Sequence, residues 1–253
     1  MIIFSGYLSS PMTRIHFAAL SERWSSAENH DSYVAEKIGD LYLFGVAEGL
    51  SNEPGRTSAS SIAVSSLIDA VRKMKGSPAT ALNTAIRESE ERIHAQMAKS
   101  SVTPRDATHL SACIVSDTLE CTVLDTGEGN VLLLGHDGNV VPRDHPKARY
   151  PADAGITLPA AGKEKQSMDM ISHTLGEPHM LKQSDFVTVS IRDLFLVISS
   201  GGLHDFVKKE RIAEIVLAND ENVETAAEQL VQEAQRSGSE ETITVVIVHG
   251  HLH

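Results

Sequence analysis

The sequence predicts an α+β fold, a four-layer α-β-β-α sandwich of two mainly antiparallel sheets flanked by helix pairs. Three observations point there. Apolar, β-rich runs alternate with helical patterns, but without the regular strand-helix-strand rhythm of a parallel sheet. The helical patterns come two at a time. Between the pairs lies a meander of short strands joined by tight turns.

Each element has its own signal. Leu41 to Ala47 is a continuous apolar run suited to a buried strand. Ala63, Leu67, Ala70, Val71 and Met74 then share one helical face. A second helix carries Leu82, Ile86, Ile93 and Met97, and opens at Ser77-Pro78, a polar cap followed by proline. The meander comprises Leu110–Val115 and Leu119–Leu124, joined by Ser116-Asp117-Thr118, then Val131–Leu134 and the turn His136-Asp137-Gly138-Asn139. From about residue 142 to 182, prolines, glycines and charged residues break the pattern, so a flap or irregular excursion is expected there. Strands resume at Phe186–Ile191 and Leu194–Ser199. Helices follow on Ile212, Ile215 and Val216, then on Val223, Ala226, Ala227, Leu230, Val231 and Ala234. Ile243–Val248 is a β-branched final strand. No repeat or low-complexity tract divides the chain, which predicts one domain over 1–253.

Composition narrows the function. Apolar residues make up 41% of 253, ordinary for a globular chain, while aromatics at 4% leave the core to Val, Ile, Leu and Ala. A net charge of −12, from 22 basic against 34 acidic residues, argues against nucleic acid or an anionic membrane as partner. Cys113 and Cys121 make no disulfide framework and no zinc-type pair, and the first residues lack a signal-peptide pattern. A reduced, cytoplasmic protein is expected. His94, His136, His179, His249 and His251 are scattered and expected mostly at the surface. His109 and His204 stand where strands end and can approach a cleft.

Chemistry is expected at those strand ends. Glu48-Gly49, Asp125, Ser200-Gly201-Gly202 and Glu241 each sit where the backbone enters or leaves a sheet. Carboxylates gathered there can bind hard divalent cations through oxygen. Phosphate-loop, dinucleotide and nucleophile-elbow patterns are absent.

The order of short motifs resembles the PPM (type 2C) metal-dependent serine/threonine phosphatases. Glu28-Asn29-His30-Asp31-Ser32 and Phe44-Gly45-Val46-Ala47-Glu48-Gly49 resemble that family's Asn-Glu-Asp segment and its Val-Ala-Asp-Gly strand end. Val123-Leu124-Asp125-Thr126, Arg143-Asp144-His145-Pro146 and His173-Thr174-Leu175-Gly176 follow in the family's order. Val197 to Asp205 resembles its Ser-Asp-Gly-Leu element, and Gly238 to Val246 its Asp-Asn-Ile-Thr-Val-Val ending. The resemblance implies two cations held by Asp side chains, which activate a water against a phosphoserine or phosphothreonine.

Several positions depart from that pattern. His30 stands for an acidic residue, Glu48 for the Asp that bridges both metals, Gly201 for a metal-binding Asp, and Glu241 with Thr242 for Asp-Asn. Ser26 falls where the family has a phosphate-gripping Arg; Arg23 lies three residues earlier. Asp31 and Asp125 keep their identity, and Gly49, a backbone carbonyl ligand in the family, is kept. The expected metal-site residues are therefore Glu48, Gly49, Glu241, Asp125 and His30, holding Mn²⁺ or Mg²⁺ in an altered site, or no metal. An imidazole ligand would tilt the choice toward Mn²⁺ or Zn²⁺. The resemblance implies a pseudophosphatase that binds a phosphoprotein or a serine/threonine kinase. The alternative is an active phosphatase with a rearranged or single-metal site.

Overall fold

A computed structural model of the chain describes residues 2–9, 13–23, 29–50, 58–99, 106–126, 131–141, 174–176 and 186–252. Eleven strands in these segments form two sheets. The first has six strands in the order β1-β2-β11-β10-β7-β8: β1 Ile2–Ser9, β2 Thr13–Glu22, β11 Ile243–Leu252, β10 Leu194–Ser199, β7 Val131–Gly135 and β8 Val140–Val141. The second has five in the order β3-β4-β5-β6-β9: β3 Ser32–Ile38, β4 Leu41–Gly49, β5 Thr108–Val115, β6 Glu120–Asp125 and β9 Phe186–Ser190. Neighbouring strands within both sheets pair antiparallel.

Period-two alternation sorts the strand side chains into layers. On β4, Tyr42, Phe44 and Val46 face the other sheet, and so do Val246 and Val248 of β11; with Phe17, Cys113 and Leu196 they form the layer between the sheets. Leu43 and Ala47 face the other way, onto α1 (Ala59–Arg72) and α2 (Pro78–Met97). Val245 and Ile247 likewise face α4 (Lys209–Leu217) and α5 (Val223–Arg236). The four-layer expectation holds.

The helices begin where the sequence signals them. Ser77 Oγ accepts the Thr80 N–H at 3.2 Å, with Pro78 in the first turn, where it lacks no needed donor. Asn222 Oδ1 accepts from the Thr225 N–H at 2.9 Å to open α5. Met74, expected on the first helix, lies just past its end and still packs on the core.

Four strands went unforeseen, among them the two-residue β8. β1 and β2 mix polar with apolar residues, and β3 holds Glu36 and Lys37, so none reads as an apolar run. Each is defined by its partner instead, as in the pairing of β2 with β11 from Glu22–Ile243 to Thr13–Leu252. The expected flap lies outside the described residues except at its near end. There Leu175 exchanges backbone hydrogen bonds with Thr108 at 2.9 and 3.0 Å. No helix among the described residues is long and apolar enough to cross a membrane. Cys113 and Cys121 are free thiols buried on adjacent strands, and burial pushes Cys113 well above the usual thiol range.

Candidate functional site

The candidate site lies at one end of the sandwich, where β4 and β6 end and β5 begins, opposite the chain that enters β11. Register places its floor. Glu48 pairs with His109, and Ser111, two residues along β5, pairs with Asp125. Paired residues share a face, and alternate residues on a strand do too. Glu48, His109, Ser111 and Asp125 therefore all face the opposing sheet. Ser111 Oγ–H donates to Asp125 Oδ1 at 2.8 Å. Asp125 lies two strands over from Glu48, roughly 10 Å away from strand spacing alone.

The opposing sheet contributes α3 (Gly201–His204), a short helix that the sequence presented only as the end of a strand. The Gly201 N–H donates to Glu48 Oε1 at 3.0 Å. A Cβ at position 201 would stand 2.6 Å from that same oxygen and 3.2 Å from Asp205 Oδ2. The Glu48 carboxylate thus fills the space that any side chain at 201 would enter. Its other oxygen lies 3.7 Å from His109 Nδ1, beyond hydrogen-bond length but within ion-pair reach. Burial works to raise the Glu48 pKa, but the His109 imidazole, the Gly201 N–H and the charge of His204 outweigh it and hold the carboxyl below its usual range.

Asp31 sits behind Glu48 in a polar network between the sheets. It accepts from Thr244 Oγ1 at 2.7 Å and from the Gly49 N–H at 3.3 Å. Thr244 Oγ1 in turn lies 2.8 Å from Ser21 Oγ, which accepts from Asn29 Nδ2 at 2.8 Å. Burial, added to by the charge of Glu48, raises the Asp31 pKa to about 6 against the pull of these hydrogen bonds. Glu241 is raised too, by burial and by the charges of Glu48 and Asp205. The Gly201-Gly202 turn links these carboxylates: Gly201 meets Glu48 and Asp205, and Gly202 packs against the carbonyl of Thr242, the neighbour of Glu241.

The remaining expected positions are placed as follows. Gly49 packs so closely on the His30 backbone that a Cβ there would clash with the His30 carbonyl. That carbonyl also accepts from Ser60 Oγ. His204 donates from Nδ1 to the Ser200 carbonyl at 2.8 Å, and its Nε2 lies 3.3 Å from Asp205 Oδ1. His109 Nε2 meets Thr174 Oγ1 at 3.0 Å, which ties the floor to the Thr174-Leu175-Gly176 segment. Ser26 and Arg143-Asp144-His145-Pro146 lie outside the described residues. Ser200 was expected as part of a strand end, whereas Asp205 and Thr244 fell within longer motifs and were not singled out as site residues. Asp205 alone carried a signal, as a carboxylate four residues after Gly201.

This donor set does not fit a two-cation cluster. A bridging carboxylate must turn free oxygens toward both ions. Glu48 instead spends Oε1 on an N–H and faces an imidazole with Oε2. Position 201 supplies no side chain, and one oxygen of Asp125 is taken by Ser111. No three His, Cys, Asp or Glu side chains among the described residues are arranged as ligands of one ion.

Residues 167–243 match the Protein phosphatase 2C family. No curated protein matches the chain. Among solved structures, the chain is similar to the Mycobacterium tuberculosis serine/threonine phosphatase PstP/Ppp, with 21% identity and a TM-score of 0.70 over 93% of this chain and 98% of that one. The catalytic domain of PstP in complex with two manganese ions gives 21% identity and a TM-score of 0.71, covering 94% of this chain and 99% of that one. The S. agalactiae serine/threonine phosphatase gives 16% identity and 0.70 over 93% and 99%. At these identities the likeness is one of fold. The chain thus has the fold of these phosphatases, and its residues 167–243 match the Protein phosphatase 2C family model.

Proposed function

We propose that the chain is a pseudophosphatase, a PPM-type domain that has lost or much reduced its catalysis and acts in signalling by binding a phosphoprotein or a serine/threonine kinase. One observation carries this reading: the Glu48 carboxylate lies against the backbone of Gly201, where the resemblance calls for two separate aspartates. A water held between two cations needs both positions. Moving it by even an ångström costs orders of magnitude in rate. Free, buried thiols and the lack of a membrane-length helix among the described residues are consistent with a cytoplasmic setting. The test is turnover of p-nitrophenyl phosphate and of a phosphothreonine peptide with Mg²⁺ or Mn²⁺. No turnover is expected. Robust, metal-dependent turnover that Glu48→Ala abolishes would refute the reading.

A second reading rests on the Gly201-Gly202 turn, which meets Glu48 and Asp205 on one side and the Thr242 carbonyl, next to Glu241, on the other. On that reading the domain is an active phosphatase with a rearranged or single-metal site. Glu48, Glu241 and Asp125, the Gly49 carbonyl and His30 would hold Mn²⁺ or Mg²⁺. It requires Mn²⁺ binding that collapses in both Glu48→Ala and Glu241→Ala, and calorimetry without heat at millimolar Mn²⁺ removes it.

A further inference from the structure

A second group of titratable side chains lies at the opposite end of β11, on the helix-facing side of the six-stranded sheet. From Glu241 to His249 is eight residues, about 25 Å along an extended strand. His249 and His251 continue the alternation of Val245 and Ile247, so they emerge on the α5 side just beyond the helices. His136, from the turn between β7 and β8, packs edge-on against His249 with ring centroids 5.4 Å apart, and His251 lies at 4.0 Å. Phe195 stacks on His249 at 3.9 Å. The three imidazoles border a cavity of about 440 Å³, into which Asp220 and Glu221 also reach from the turn after α4. His136 and His249 are 113 positions apart, so no local pattern announces this gathering; His94, His136 and His251 are exposed as expected, whereas His249 is buried and the three rings here are clustered and not scattered.

His249 is only 4% exposed, and its Nε2 has no hydrogen-bond partner. A sealed, unpartnered nitrogen is costly, and it calls for an explanation. Burial and the neighbouring imidazoles hold His249 far below the usual histidine range, to about 3, and burial lowers His251 as well. A neutral imidazole offers one ring nitrogen with a free lone pair to a cation. Neutral imidazoles beside carboxylates suit a borderline transition ion better than Mg²⁺ or Ca²⁺.

We infer that His136, His249 and His251, completed by a carboxylate of Asp220 or Glu221, form a second site for a divalent cation of the Zn²⁺, Co²⁺ or Ni²⁺ class. The described side chains are not yet closed into a ligand set. His136 and His251 are exposed, so their rings can turn onto His249 without disturbing the core. His16 and Arg14 also line the cavity, but His16 Nε2 lies 3.2 Å from Glu224 and the Arg14 guanidinium lies over the Tyr7 ring.

The test is titration of the intact chain with Zn²⁺ and with Co²⁺. One ion is expected to bind here, with Co²⁺ giving the visible absorption of a nitrogen-rich site. Joint His136→Ala and His251→Ala replacement is expected to weaken binding by about tenfold or more. Both rings are exposed, so the metal-free thermal midpoint is expected to stay unchanged. His249→Phe, which keeps the stacking on Phe195, is expected to act alike. Glu48→Ala is expected to leave this ion in place. Binding that survives the joint replacement, binding lost in Glu48→Ala alone, or no Co²⁺ absorption at millimolar metal would overturn the assignment.

Discussion

Glu48 and Gly201, 153 positions apart in the chain, fit each other as a pair: the glycine N–H binds the carboxylate, and the missing side chain is the room the carboxylate occupies. Two departures from the family pattern that look independent in the sequence are thus one packing arrangement. The glutamate reaches across the gap between sheets and is held there by a residue that has no side chain of its own.

This pairing makes Gly201→Ala costly. The added methyl would begin 2.6 Å from Glu48 Oε1, so the carboxylate must move and lose its N–H donor. The expected loss is about 1–3 kcal/mol in urea denaturation. In a Glu48→Ala background the same change is expected to cost much less, a coupling of about 0.5–3 kcal/mol in a double-mutant cycle.

Asp31 predicts a specific pH dependence. Its pKa stands at about 6 in the folded chain against 3.8 ordinarily. As pH rises, the unfolded chain therefore releases this proton first, and folding is progressively disfavoured between about pH 4 and 6. Above that the penalty is constant, at about 3 kcal/mol. Asp31→Asn is expected to remove this part of the slope and to be more stable than wild type at pH 7, as denaturation at several pH values would show.

Tyr42 is fully buried between the sheets, and its hydroxyl has no hydrogen-bond partner. Tyr42→Phe keeps the ring and removes the unsatisfied group. It is expected to be neutral or stabilising, by about 1 kcal/mol, in thermal unfolding.

Glu90 of α2 is buried and holds the end of the expected flap, accepting the Gly176 N–H at 3.2 Å while His94 lies 3.1 Å away. Gly176 has φ +94°, and a Cβ there would clash with the Asp106 carbonyl. Both Glu90→Ala and Gly176→Ala are expected to destabilise by about 1–3 kcal/mol and to speed amide exchange at Leu175.

The fold was legible wherever a strand or helix carries its own pattern. α2 was readable down to its Ser77-Pro78 start, because a cap is a local device. β1, β2 and β3 were not, since their pairing is decided by partners distant in sequence. At the site, motif order pointed to Glu48, Gly201 and Glu241. What it could not supply was the direction of the Glu48 side chain, or that Asp205 and Thr244 border the same site. The histidine cavity was illegible for the same reason, as its rings come from a turn and a strand that only the sheet order brings together.

We propose that the space between Glu48 and Glu241 holds no two-cation cluster. Anomalous diffraction from crystals soaked in Mn²⁺ tests it directly. No pair of manganese peaks is expected between those two carboxylates, whatever binds at the histidine cavity. Two peaks about 3.5–4 Å apart, with Glu48 turned away from Gly201 to bridge them, would contradict it.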